Sequence, residues 1–365
     1  MTQREREIFD IIKSNPMIEQ SQIASMLNIA RSSVAVHISN LQKKGYILGK
    51  GYLLKEHDYV VGIGAANVDI HGHSKNAINL RDSNPGRMNV SAGGVTRNVS
   101  DNLSRLGAPV KLITALGDDV YAEQIRTECA AAGVDLTHSM VVENHPSSTY
   151  ISILDEKGDM FVAMSDMAVL QKMNMDYLET KANIITGAKI ITCDSGLPSE
   201  VLEGILDTFG RQQPVFIDPV SCAYAEKIKP YVGKFHTIKP NRMELEILAD
   251  MPIRNDGDLK KACEIVLDKG VQRLFVSLGG DGCFYMDKEG RQMQRKLKPL
   301  EEMVNATGGG DAFMAAVIYS TLRDLSIEET LDYALAAGLA AISHERTINP
   351  EMSIETLEKI LKERK

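Results

Sequence analysis

The chain has 365 residues, 44% of them hydrophobic, a formal net charge of −8 and five cysteines. That length and apolar content allow at least one sizeable core and argue against intrinsic disorder. No run approaches the ~20 apolar residues of a membrane-spanning helix, the first ten residues alternate Arg and Glu, and Cys129, Cys193, Cys222, Cys263 and Cys283 show no metal or redox spacing, so a cytoplasmic protein with reduced thiols and no membrane contact is expected.

Charge is uneven along the chain. Residues 1–56 hold eight Lys/Arg against five Asp/Glu, a balance of +3, which leaves −11 for the remainder and suggests two modules with different partners. In the first module Ile8, Ile11 and Ile12 form one apolar stripe, Ile23, Met26 and Leu27 a second, and Val34, Ile38 and Leu41 a third, with a tight turn near Asn28-Ile29-Ala30. Gly45 ends the third helix, and Tyr46 to Leu54 has the pattern of a hairpin turning at Gly49-Lys50-Gly51. The segment resembles the winged helix-turn-helix modules of bacterial regulators, which implies DNA binding through Arg31, Ser32, Ser33 and His37, with Lys43 and Lys44 adding positive charge. A packing or dimerisation module has the same pattern, and +3 is a small charge for a DNA reader.

From Asp58 onward, apolar runs alternate with helical stretches. Strands are expected at Tyr59–Gly64, Val110–Thr114, Ile190–Thr192, Val215–Asp218, Thr237–Ile238 and Arg273–Ser277, and helices at Val95–Leu106, Tyr121–Ala132, Ser199–Gly210 and Leu259–Lys269. This alternation predicts an α/β domain with a mainly parallel sheet, helices on both faces, and ligands beyond the carboxyl ends of the strands. Period-two segments at Val68–His73, Arg87–Val90, Thr149–Asp155 and Asp159–Met164 are polar on one side and predict a small separate sheet acting as a lid.

The strongest motif is Asn305-Ala306-Thr307-Gly308-Gly309-Gly310-Asp311-Ala312-Phe313, followed by an apolar helical run to Leu322. Three glycines ahead of a helix expose backbone N–H groups at its positive end, where a transferring phosphoryl group is stabilised. Asp311 in the first turn reaches the same point and can take the proton of an attacking hydroxyl. An ordinary Gly-rich turn before a helix has the same appearance when taken alone.

Two separated patterns narrow this choice. The segment resembles the C-terminal signature of the ribokinase-like (PfkB) family of carbohydrate and nucleoside kinases, D-T-x-G-A-G-D-x-F, and Ala92-Gly93-Gly94-Val95-Thr96-Arg97-Asn98-Val99 resembles its N-terminal signature. The resemblance implies a kinase domain over 57–365, behind the segment over 1–56 that resembles a winged helix-turn-helix. That domain would be a three-layer αβα fold with lid strands near 68–92 and 148–166. It further implies a catalytic set of Asp311, Gly308, Gly309 and Gly310, and a substrate site of Asn67, Asp69, Gly93, Gly94 and Asn98, in which Asp69 holds vicinal ribose hydroxyls. Asn241 and Glu244, as an N-x-x-E motif, would organise Mg²⁺ through water. Ser277, Gly279 and Gly282 would contact ATP. Asn305 stands where most members carry Asp, which removes a carboxylate near a loop that often holds K⁺ and leaves K⁺ dependence open.

Asp82–Gly86, Gly93–Asn98, Ser148–Tyr150, Asp166-Met167, Asp218–Ser221, Lys239–Arg242 and Asn349-Pro350 together resemble pseudouridine kinases. This implies transfer to the 5′-hydroxyl of pseudouridine, with Thr149 and Asp166 near the base; inosine, cytidine or ribose are alternative acceptors, and a nucleoside-sensing regulator is the alternative class. The family's lid strands often pair between subunits, which implies a homodimer. His71 and His73 share one strand face without an evident third ligand, so substrate contact or a structural role is expected of them rather than metal binding. The 17 methionines are expected to fill core gaps.

Overall fold

A computed structural model describes residues 1–16, 18–47, 49, 58–300, 304 and 307–365. The chain divides into two units, Met1–His57 and Asp58–Lys365.

In the first unit, Gln3–Ser14 starts with a capping box in which Thr2 and Glu5 exchange side-chain and backbone bonds. Helix Gln20–Leu27 stops where Asn28 turns left-handed with φ of 50°, and Arg31–Lys43 follows. Ile8, Ile12, Ile23, Val34, Ile38 and Leu41 close one small core with Ile18, Ala24 and Ile47. Met26 is not part of it: that side chain is 65% exposed, and Ala24 takes the inward position instead. The hairpin expected over 46–54 falls largely outside the described residues.

Among its described residues the second unit has fourteen strands: β1 (Val60–Ile63), β2 (Asn67–Ser74), β3 (Gly86–Gly93), β4 (Val110–Ile113), β5 (Ala115–Leu116), β6 (Met140–Val141), β7 (Thr149–Leu154), β8 (Met160–Asp166), β9 (Ile190–Asp194), β10 (Val215–Asp218), β11 (Thr237–Ile238), β12 (Arg273–Ser277), β13 (Cys283–Asp287) and β14 (Gln292–Arg295). Eight form the main sheet in the order β14-β13-β12-β11-β10-β9-β1-β4. From β4 to β12 every pairing is parallel. These strands are apolar without alternation because both faces are covered. Val61, Ile63, Ile191 and Ile217 pack into one core with helices Ser199–Thr208, Arg242–Ala249 and Asp256–Asp268. Val60, Leu112, Phe216 and Phe275 pack into the other with helices Val95–Arg105, Gly309–Leu322 and Ile327–Ile342. The result is a three-layer αβα domain. The antiparallel edge pair β13–β14 was not expected from the sequence. Its turn is closed by Asp287, whose Oδ1 accepts from the N–H groups of Glu289 and Arg291, with Gly290 left-handed between them.

The period-two segments form a separate four-stranded sheet, β3-β2-β7-β8. Its register aligns Ser91, Asp69, Tyr150 and Ser165 in one row and Asn89, His71, Ser152 and Ala163 in the next. The opposite face carries Met88, Val90, Ile151, Val162 and Met164, all exposed. No helix among the described residues is long and apolar enough to cross a membrane. All five cysteines are unpaired, four of them buried.

Candidate functional site

Helix Gly309–Leu322 opens from Gly308, its N-cap. Gly308 has φ of 82°, and a Cβ there would stand 2.2 Å from the Thr347 carbonyl oxygen, so only glycine fits. Gly309 and Gly310 lie inside the first turn rather than before it, which leaves their N–H groups without helical acceptors. Asp311 shares that turn, partly open to a cleft. Its Oδ2 accepts from Asn98 Nδ2 at 2.9 Å. Burial of its carboxyl, with the charges of Asp218 and Asp194 nearby, raises it to about 7 against the pull of Asn98 and Lys239.

The cation here is Lys239, just past the end of β11. Its Nζ pairs with Asp218 Oδ2 at 2.8 Å and would stand 3.1 Å from a Cβ at Gly310. Burial works to discharge Lys239, but Asp218, Glu244 and Asp311 together hold the ammonium above its ordinary value. Asp194, at the end of β9, ties three segments together. It accepts from Ala65 N at 2.7 Å, Thr96 Oγ1 at 2.6 Å and Gly196 N at 2.8 Å. None of these three charged residues was singled out with a role from the sequence. The available signal was that each charged side chain stands at the carboxyl end of a predicted parallel strand, where such sheets bind ligands.

The cleft, about 550 Å³, is lined by Asn67, Asp69, His71, Gly94, Asn98, Asp194, Gly308 and Asp311 together with Tyr150, Ser165, Met167, Leu170, Val220 and Tyr224. Asp69 accepts from Asn67 Nδ2 at 2.6 Å, and burial raises its carboxyl. Gly93 backs onto it so closely that a Cβ would lie 2.2 Å from Asp69 Oδ2. Thr149 and Asp166, expected here, do not line the cleft. Pairing of Thr149 with Asp166 puts them one position from Tyr150 and Ser165, so the alternation of the strands brings the latter pair to the cleft. Asp166 instead accepts from Ala168 N in the turn that follows.

Asn241 and Glu244 cap helix Arg242–Ala249 reciprocally: Asn241 Oδ1 accepts from Glu244 N at 2.9 Å, and Glu244 Oε2 accepts from Asn241 N at 2.8 Å. Burial and the Asp218 charge raise the Glu244 carboxyl, which Lys239 opposes. Ser277 bridges to Asn241 across neighbouring strand ends. Gly279 and Gly282 follow in the turn to β13, both with positive φ, and a Cβ at Gly282 would meet the Arg295 carbonyl oxygen at 2.0 Å. These five residues stand at the same sheet edge as Lys239 but outside the lining of the cleft. Asn305 falls outside the described residues.

In the first unit, Arg31, Ser32 and Ser33 are exposed at the start of helix Arg31–Lys43, and half-buried His37 leaves Nδ1 without a partner. Lys44 is not free to serve beside them. Its Nζ pairs with Glu5 Oε2 at 2.8 Å, and that bond holds the Glu5 carboxyl below its usual range.

Comparison with known proteins places these features in context. Residues 57–354 match the model of the pfkB family carbohydrate kinases, and residues 1–47 match a winged helix-turn-helix DNA-binding model. The uncharacterized sugar kinase YeiI of Escherichia coli strain K12 is 36% identical over 97% of this chain and 98% of its own length. A pseudouridine kinase of the same strain is 36% identical over 82% of this chain and 96% of its own. The Arabidopsis thaliana ribokinase solved with ribose and ATP superposes with a TM-score of 0.75 at 23% identity, covering 84% of this chain and 99% of that one.

Proposed function

The chain belongs to the pfkB family of carbohydrate kinases, phosphotransferases with an alcohol group as acceptor, and from that premise we propose that it moves the γ-phosphoryl group of ATP to the 5′-hydroxyl of pseudouridine. One observation carries the reading: Asp311, Gly308, Asn98, Asn67 and Asp69 line one cleft, and the Lys239 ammonium stands beside the first turn of the helix that carries Asp311. Asp69 accepts the vicinal ribose hydroxyls, with Asn67, Gly93, Gly94 and Asn98 shaping the sugar pocket. Asp311 takes the proton of the 5′-hydroxyl as its oxygen bonds to phosphorus and the bond to ADP breaks. The amides of Gly308 to Gly310 and the Lys239 ammonium hold the charge on the transferring group. A carboxyl raised to about 7 is a competent base at neutral pH.

ATP fits the turn built from Ser277, Gly279 and Gly282 on its open side, where a Cβ at Gly279 would meet nothing within 4 Å. Mg²⁺ fits Glu244 beside Asn241. It is a buried carboxylate with one oxygen spent on a cap and Asp218 close by, in keeping with an ion that keeps most of its waters and takes one or two protein carboxylates. When bound, Mg²⁺ offsets the phosphate charge. Comparing turnover in potassium and N-methylglucamine salts decides the K⁺ question.

The exposed apolar face of the lid supports a homodimer joined through that sheet. Unpaired cysteines accord with the reducing cytoplasm. Arg31, Ser32, Ser33 and His37 are the groups through which the first unit would touch DNA. The experiment is ADP release with pseudouridine, inosine, cytidine and D-ribose. Highest kcat/KM with pseudouridine is the expected result; no ADP from any of them overturns the reading.

A further inference from the structure

The cleft continues past the position assigned to the sugar. Strand β2 starts at Asn67, which pairs with Gly93 just ahead of the helix whose Asn98 bonds Asp311, and leads through Asp69 to His71, all three lining the cleft. Alternate residues of a strand share a face and stand about 6.8 Å apart. With the vicinal hydroxyls at Asp69 and the 5′-hydroxyl at Asp311, the substituent on C1′ is carried along β2, away from Asp311 and toward His71.

His71 is not a free rotor there. Its Nδ1 lies 2.6 Å from Ser152 Oγ, across the pairing of His71 with Ser152 on β7. Ser152 is only 1% exposed, so its hydroxyl depends on that partner. The bond fixes the ring plane and engages one nitrogen, which leaves Nε2 for whatever enters the cleft. Beside it Tyr150 presents an aromatic side chain and Met167 an apolar one to the same space. A fixed imidazole edge next to an aromatic wall suits a planar heterocycle with polar edges. A free pentose, already held at Asp69 and Asp311, has nothing to place there.

Resting on the kinase reading above, we propose that His71, set by Ser152, is a specificity-determining residue that recognises the polar edge of a planar heterocyclic substituent on C1′, so that the site is built for nucleosides over free pentoses. Purely structural service, in which His71 only satisfies Ser152 and stiffens the lid, is the competing account. It predicts equal losses for every acceptor.

The test measures kcat/KM and calorimetric Kd for pseudouridine and for D-ribose with the full chain, Mg²⁺ and ATP for turnover, and a non-hydrolysable ATP analogue for binding. His71→Ala is expected to lower the pseudouridine-to-ribose ratio about tenfold in both measurements. His71→Gln, which keeps a hydrogen-bonding group, should restore part of the ratio, and Ser152→Ala should shift it in the same direction by a smaller factor. Thermal melts of each variant separate these effects from loss of fold. An unchanged ratio overturns the proposal, and so do equal losses for both ligands. If the unsubstituted protein binds pseudouridine without phosphorylating it, the kinase reading fails while the binding ratio still tests His71. If it binds pseudouridine no better than ribose, the specificity proposal fails whatever the turnover.

Discussion

Replacing Asp311 by Asn removes the base while keeping its shape, because the amide oxygen can still accept from Asn98 Nδ2, 2.9 Å away in the native site. General-base assistance contributes roughly 10²–10⁴-fold, so kcat should fall by about that factor, equivalent to roughly 3–5 kcal/mol of barrier. The same substitution should affect stability in the opposite direction. A carboxyl moved from 3.8 to about 7 binds its proton more tightly folded than unfolded, so the fold loses stability as pH rises from about 4 to 7. The limit of that loss is about 4 kcal/mol above pH 7, lessened by the opening of the side chain to the cleft. Asp311→Asn should therefore raise Tm by a few degrees at pH 8 and hardly at all at pH 4. In the native enzyme kcat/KM, which reports the unliganded site, should rise about tenfold per pH unit up to near pH 7 and then level. The assays are coupled ADP release across pH and thermal melts at the two pH values. Near-normal kcat in the variant refutes the role of base; a fall in kcat accompanied by a lower Tm at pH 8 refutes the electrostatic account of the site.

Asp69→Ala should weaken pseudouridine binding by about 10²-fold, at ~1.5–3 kcal/mol for each hydrogen bond to a charged group, read by calorimetry; unchanged affinity discards the ribose assignment. Gly308→Ala forces a Cβ to 2.2 Å from Thr347 O at positive φ and should cost about 1–3 kcal/mol by denaturant titration, with kcat falling as the amides shift. Lys239→Met strands buried Asp218 without its partner and should destabilise the protein by about 3–5 kcal/mol, whereas adding Asp218→Asn to it should recover part of that loss. Ile151→Asp, on the exposed apolar face of the lid, should shift the sedimentation of a dimer toward the monomer without lowering Tm, and an unshifted dimer excludes that face as the interface.

Much of this protein was determined locally. Unbroken apolar runs such as Val215–Ile217 can be buried only with both faces covered, so they required a parallel sheet between helices, and the glycines before Asp311 required a helix start with free amides. Period-two segments with one polar side required a sheet with one face against a cleft. Pairing across the chain was decided elsewhere. Whether Thr149 or Tyr150 meets the cleft depends on a register in which one position reverses the face, and the polar pattern of the strand is too irregular to set it. Asp194, Asp218 and Lys239 lie far apart in the chain and act on Asp311 only because adjacent strands end at one edge of the sheet. The type of most elements follows from periodicity within a few residues, whereas the pKa of Asp311 follows from charges that only the folded sheet brings together.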